Sequence, residues 1–246
     1  MSASLVGSEM CIRDSYDTIA LQAAGIGYRA DYAYHNGKYY VYFGIVPVLL
    51  LYLPYYLLTG GALQNYVAVF VFFAGFIIAA AGFVYELMKR YFKEQPFYLW
   101  AVGTGMLVGS YSMFYLLIRP DLYHVPIAAS TMFATGGLWL YLAGLNRPKK
   151  AVGLYAFGSF CMALTAGCRP QFILFAALAV VLFWERVFVK RELFSKKGWR
   201  QTAALVVPYV LIAAGLMAYN ALRFGSPFDF GASYSCLLYT SPSPRD

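Results

Sequence analysis

The 246-residue chain is 61% hydrophobic and 12% charged, against about 45–50% apolar and about 25% charged in soluble domains, which excludes a soluble globular protein and predicts an integral membrane one. Aromatic residues reach 19%, as expected where many amphipathic rings sit at headgroup level. The net charge of +8 does not imply nucleic acid, because twelve of the nineteen Lys and Arg fall in three short loops, a pattern of membrane topology.

The chain begins and ends in sequence unlike its middle: "SLVGSEMCIRDS" at the start and "CLLYTSPSPRD" at the end. Written as codons, Leu5 to Asp14 gives a DNA segment whose reverse complement, read in another frame, spells Cys236 to Asp246. Both ends therefore resemble one transposase-type sequencing adapter translated from opposite strands. The expectation is that residues 1–15 and 236–246 are adapter-derived and that the stretch between lacks both natural ends.

Residues 16–43 read as an extracytoplasmic loop. Within it "DYAYHNGKYYVYFG" sets Asn36-Gly37 between tyrosine-rich arms, a hairpin signal because a tight primed turn needs positive φ at both central residues. The run "GIVPVLLLYLPYYLLTGG" (44–61) is interrupted by Pro47 and Pro54, which favours a broken interfacial helix over a crossing. If it did cross, residues 16–43 would be cytoplasmic, and length alone leaves that alternative open.

Residues 44–222 form the predicted transmembrane helical domain. Runs long enough for about 30 Å of hydrocarbon fall at 66–88, 97–118, 123–145, 152–168, 171–188 and 202–222, predicting an all-α bundle of six spans. The loops "KRYFKEQ" (89–95), "NRPKK" (146–150) and 186–200 carry three, three and six basic residues, so the positive-inside rule puts them in the cytoplasm. The turns around 60–65, 119–122 and 169–170, and the extracytoplasmic loop beginning at 223–235, then lie outside. Cys161 and Cys168 share one helix about 10 Å apart, beyond disulfide reach, while Cys11 and Cys236 belong to the foreign ends.

No phosphate-binding loop, dinucleotide fingerprint, nucleophile elbow or metal-spaced His/Cys pair occurs, and no cofactor or metal is expected. The informative residues are charges on the outer side, costly at the edge of a membrane core: Arg119 and Asp121 in "IRPDLYHV", Arg169 in "GCRPQF", Arg223 and Asp229 in "YNALRFGSPFDFG", and Asp31, His35 and Lys38 in the loop. Each has a plainer reading. Asp121 could cap the next helix and Arg119 could snorkel; Arg169 could satisfy the last carbonyls of its helix while Pro170 starts the next. Lys38 and His35 could be simple turn residues, and Arg223 with Asp229 a surface ion pair.

Taken in order, the "GKYYVYFGIVP" stretch, a helix ending in "KRYFK", a helix pair joined by "RPD" and another joined by "CRP" resemble the GT-C class of membrane glycosyltransferases over residues 28–200. The similarity is to the protein O-mannosyltransferase and aminoarabinose transferase group. Asp121 matches that group's turn aspartate, and Arg169 stands where the group has lysine. The group's Asp-Glu pair after its first transmembrane helix has no counterpart; Asp17 and Asp31 lie in the corresponding loop, but neither is in such a pair.

The resemblance implies a GT-C-like fold in a prokaryotic cytoplasmic membrane, moving a hexosyl or pentosyl unit from a polyprenyl-phosphate donor to a glycan, lipid or protein acceptor on the extracytoplasmic face. Asp121 and Asp31 would then be the catalytic carboxylates, and Arg169, Arg119, Lys38 and Arg223 the binders of donor phosphate. Two alternatives stay open. A transporter or flippase of lipid-linked sugars would need charged or broken elements at the membrane midplane, where this chain has no ionisable residue but tyrosine and cysteine. The other is a non-catalytic polytopic membrane protein.

Overall fold

The computed structural model describes residues 33–35, 38–41, 44–110, 113–192, 195 and 198–231, with side chains from Tyr40 onward. Both foreign-looking ends, together with Asp17 and Asp31, lie outside the described residues. The chain divides into two compact units: Gly44–Gly215, and a smaller one made of the residues up to Phe43 with those from Leu216.

In the smaller unit, β1 (Ala33–His35) and β2 (Lys38–Tyr40) pair antiparallel, with Ala33 opposite Tyr40 and His35 opposite Lys38. These are the arms of the hairpin read around Asn36-Gly37, two positions themselves outside the described residues.

The larger unit opens with α1 (Ile45–Thr59), an apolar helix too short at about 1.5 Å per residue to cross about 30 Å of hydrocarbon. Its middle, Val48–Tyr52, is a π-helical turn. Such a widened turn accommodates the break in the hydrogen-bond ladder that proline imposes, and Pro54 falls at the start of the α-helical stretch that follows. Gly44, just before α1, has φ +75°, and a Cβ there would come 2.8 Å from the Pro126 ring, so only glycine fits. Its N–H donates to the Cys168 carbonyl at 3.0 Å. At the far side of α1, the Tyr52 hydroxyl donates to Asn65 Oδ1 at 2.7 Å, and burial pushes that phenol above the ordinary tyrosine range, which keeps it a donor.

Among the described residues, five helices are long and apolar enough to cross a membrane: α2 (Asn65–Tyr91), then, after two shorter helices, α5 (His124–Asn146), α6 (Ala151–Cys168, preceded by a 3-10 turn at Pro148–Lys150), α7 (Pro170–Val189) and α8 (Trp199–Phe224). This is an all-α bundle and reads as an integral membrane protein, since within lipid each backbone polar group must be satisfied inside its own segment. Within the expected sixth span, 97–118, the described residues form α3 (Tyr98–Ser110) and α4 (Met113–Ile118), and positions 111 and 112 between them lie outside the described residues. The two pieces carry the chain back along α2. Gly103 lies against Val84, and the Phe114 ring meets Phe73 edge-on at 5.4 Å, so the positions advance by equal steps in opposite directions. α7 also departs from a plain α-helix, beginning as a 3-10 stretch, Pro170–Ala176, and ending in a π-turn, Glu185–Val189.

α5 is the central helix. It runs parallel to α2, with Met132 packed at Gly75 and Trp139 at Gly82, and antiparallel to α6. Small residues let the α5 and α6 backbones approach closely: a Cβ on Gly158 would lie 3.1 Å from the Gly137 carbonyl oxygen and 2.9 Å from the Tyr141 ring. Because α2 and α5 are parallel, their first residues share one end of the bundle, and so do Cys168 and Arg169 at the end of α6. The start of α1 is fastened there through Gly44 and its middle through Tyr52, and the chain leaving α1 enters α2 at the same end. The segment 44–61 therefore returns to the end it leaves, as a non-crossing helix does.

Candidate functional site

That end gathers the turns "RPD" and "CRP". Arg169, the residue ending α6, has extended backbone, and its N–H closes the helix onto the Thr165 carbonyl at 2.9 Å. Pro170 begins α7 in its first turn, where its missing N–H costs nothing. The side chain is half-buried and reaches across to the other turn: Arg169 Nη2 donates to the Tyr123 carbonyl at 3.1 Å. Two turns separated by 46 positions are thus joined by one guanidinium.

In the "RPD" turn, the Asp121 N–H bonds the Arg119 carbonyl at 2.9 Å and the His124 N–H bonds the Asp121 carbonyl at 2.9 Å. The Asp121 side chain does not cap α5, whose N-terminal residue Tyr123 has helical backbone and no side-chain cap. The carboxylate instead stands in solvent, 72% exposed, with Oδ2 4.0 Å from His124 Nδ1. That nitrogen also contacts the Arg119 carbonyl oxygen, and the imidazole packs edge-on against Tyr115 at 5.5 Å. The Asp121 N–H also points at this nitrogen, at 3.4 Å. Arg119 is exposed, and among the described residues its guanidinium makes no hydrogen bond or ion pair.

His124 was not among the residues singled out by sequence. The available signal was its place three positions after Asp121 at the start of a helix, a spacing that brings two side chains together.

Arg223 belongs to the smaller unit, where its Nη2 donates to the Val41 carbonyl at 2.7 Å. Its guanidinium carbon lies 4.9, 4.7 and 4.7 Å from the ring centres of Tyr40, Tyr219 and Phe224. Such an aromatic cage spends the cation on structure. Its expected ion-pair partner, Asp229, accepts the Gly231 N–H at 2.8 Å instead. Lys38 lies in β2, but its side chain, like Asp31 as a whole, lies outside the described residues. Among those residues, no group of three or more His, Cys, Asp and Glu could hold a metal ion.

Comparison with known proteins finds no matching family model, no matching curated protein and no matching solved structure. The functional reading therefore rests on the chain's own residues and their geometry.

Proposed function

We propose that the protein is a membrane glycosyltransferase that moves a sugar from a polyprenyl-phosphate donor to an acceptor hydroxyl at the extracytoplasmic end of the bundle. One observation carries the reading: the Arg169–Tyr123 contact joins two turns that bear Arg119, Asp121, Arg169 and His124, so cations and an acid–base pair share one end of a membrane bundle. In the reaction the acceptor oxygen forms a bond to the anomeric carbon as the bond from that carbon to the phosphate oxygen breaks. The hydroxyl proton passes to the Asp121–His124 pair. Negative charge develops on the departing lipid phosphate, and Arg169 and Arg119 stabilise it, the planar guanidinium gripping two oxygens at once.

The test is sugar transfer in membranes containing the full-length protein. Loss of a charge-assisted hydrogen bond is worth roughly 1.5–3 kcal/mol, so Arg169→Ala is expected to lower donor use about ten- to hundredfold. Arg169→Lys keeps the charge without the fork and falls part-way. Asp121→Asn lowers turnover while the detergent-solubilised protein melts as the parent does. Normal transfer by both Arg169→Ala and Asp121→Asn, or losses that only follow unfolding, would falsify the reading and leave these turns a structural role.

A further inference from the structure

The opposite end of the larger unit holds an open cavity of about 460 Å³ between the end of α2 and the end of α5, lined by Lys89, Arg90, Tyr91, Lys93, Asn146 and Pro148 among others. Three cations and no carboxylate line it. The acid of the last turns of α2, Glu86, is 1% exposed and already committed. It accepts from Arg147 Nη2 and, at 2.9 Å, from Asn146 Nδ2. No carboxylate therefore lies inside the cavity against Lys89, Arg90 and Lys93. Asn146 also holds one of these cations in place, because its Oδ1 accepts from Arg90 Nη1 at 3.4 Å.

Two features identify what enters. Exposed aromatic rings, Tyr91, Phe92, Phe97 and Tyr98, cluster along the same turn, and such rings mark headgroup depth in a membrane protein. Below Lys89, Tyr85 and Ile78 continue the same helical face at steps of four and seven residues, and both are exposed, by 46% and 64%. A ligand fitting this arrangement has an anionic, acceptor-only group beside the cations and an apolar tail along α2. We propose that the cavity binds the head group of an anionic phospholipid, its phosphate against Arg90, Lys89 and Lys93 and its acyl chains against the Ile78–Tyr85 face. Basic pockets between helices at the cytoplasmic surface suit such head groups. The proposal is independent of glycosyl transfer.

The experiment is native mass spectrometry of the full-length protein in neutral detergent, titrated with phosphatidylglycerol or with phosphatidylcholine. Phosphatidylglycerol is expected to bind more tightly. Lys89→Ala with Lys93→Ala is expected to weaken it by about ten- to thirtyfold, the share that two lysines carry at an anionic surface. The control is Lys149→Ala with Lys150→Ala, which removes the same charge from exposed positions nearby and is expected to weaken binding less than about threefold, because those residues do not contact the head group. Equal losses in both pairs would mean a diffuse basic surface and overturn the site. So would phosphatidylcholine binding as tightly as phosphatidylglycerol in the unaltered protein, or complete displacement of the lipid by millimolar inorganic phosphate.

Discussion

Where α2 and α5 end, Glu86, Arg147 and Arg186 are locked into bonds beside the open basic cavity; where the two helices begin, Arg119 and Asp121 stand apart. At the first end Glu86 is buried under Arg147 and Asn146. Close by, Arg186 donates to Glu192 Oε2 at 2.8 Å, to the Tyr155 hydroxyl at 2.9 Å and to Gln201 Oε1 at 2.9 Å, fastening α6, α7 and α8 together. At the other end Asp121 is 72% exposed, with its carboxylate 4.0 Å from the His124 imidazole, and Arg119 is exposed. Charges bonded inside a fold fix which helix turns meet, whereas exposed charges add little stability and stay available to a ligand. Arg169 lies between the two cases, half-buried with its Nη2 donating to the Tyr123 carbonyl.

The strongest way to break that contrast is at Arg147. Arg147→Ala strands the Glu86 carboxylate, 2% exposed in its side chain, with Asn146 as its remaining donor. Removing one partner of a buried pair costs about 3–5 kcal/mol, and because Arg147 itself is 41% exposed the low end, about 3 kcal/mol, is expected. Glu86→Gln added to Arg147→Ala should recover at least half of the loss, since a neutral amide is far cheaper to bury than an unpaired charge. Melting of the three variants in detergent measures both effects, and absence of rescue would mean that the loss came from packing rather than charge.

Arg186 offers a smaller effect and a check on how the helices are fastened. Arg186→Ala gives up three hydrogen bonds and is expected to cost about 2 kcal/mol, and Tyr155→Phe, which gives up one of them, about 1 kcal/mol. Because the two share a bond, the double variant should lose less than the sum. Strict additivity in the melting data would show that Tyr155 and Arg186 do not act on each other.

Much of the bundle was legible because lipid permits few backbone solutions: long apolar runs have to be helices, and Pro47 and Pro54 mark α1 as broken. The antiparallel pairing of β1 and β2 was likewise legible, from the hairpin signal of Asn36-Gly37 in the sequence between them. Glu86, by contrast, was invisible. It precedes a basic loop and looks like one more loop charge, and only the parallel packing of α2 on α5 buries it beneath Arg147, 61 positions away. At the other end "RPD" and "CRP" stood out as charges in short turns, but their contact through Tyr123 and the approach of His124 to Asp121 depend on tertiary packing and on the first turn of α5, which no motif encodes.

The smallest expected effect bears most directly on the contrast. If Arg119 and Asp121 are uncommitted, Arg119→Ala and Asp121→Asn should each shift stability by no more than about 0.5 kcal/mol, the range of surface substitutions that break no cap or network. Asn is the right replacement at 121, because it keeps the shape and a local acceptor while removing the charge that faces His124. The Asp121–His124 interaction is itself worth little, being exposed on one side and electrostatic only when the imidazole is protonated. Arg169→Ala should fall between the two ends, at about 1 kcal/mol for its bond to Tyr123. The expected order of cost is therefore Arg147, Arg186, Arg169, then Arg119 and Asp121 together. A melting series that puts Asp121→Asn above Arg169→Ala would move Asp121 among the structural charges, and any loss of transfer in that variant would then have to be read as loss of fold.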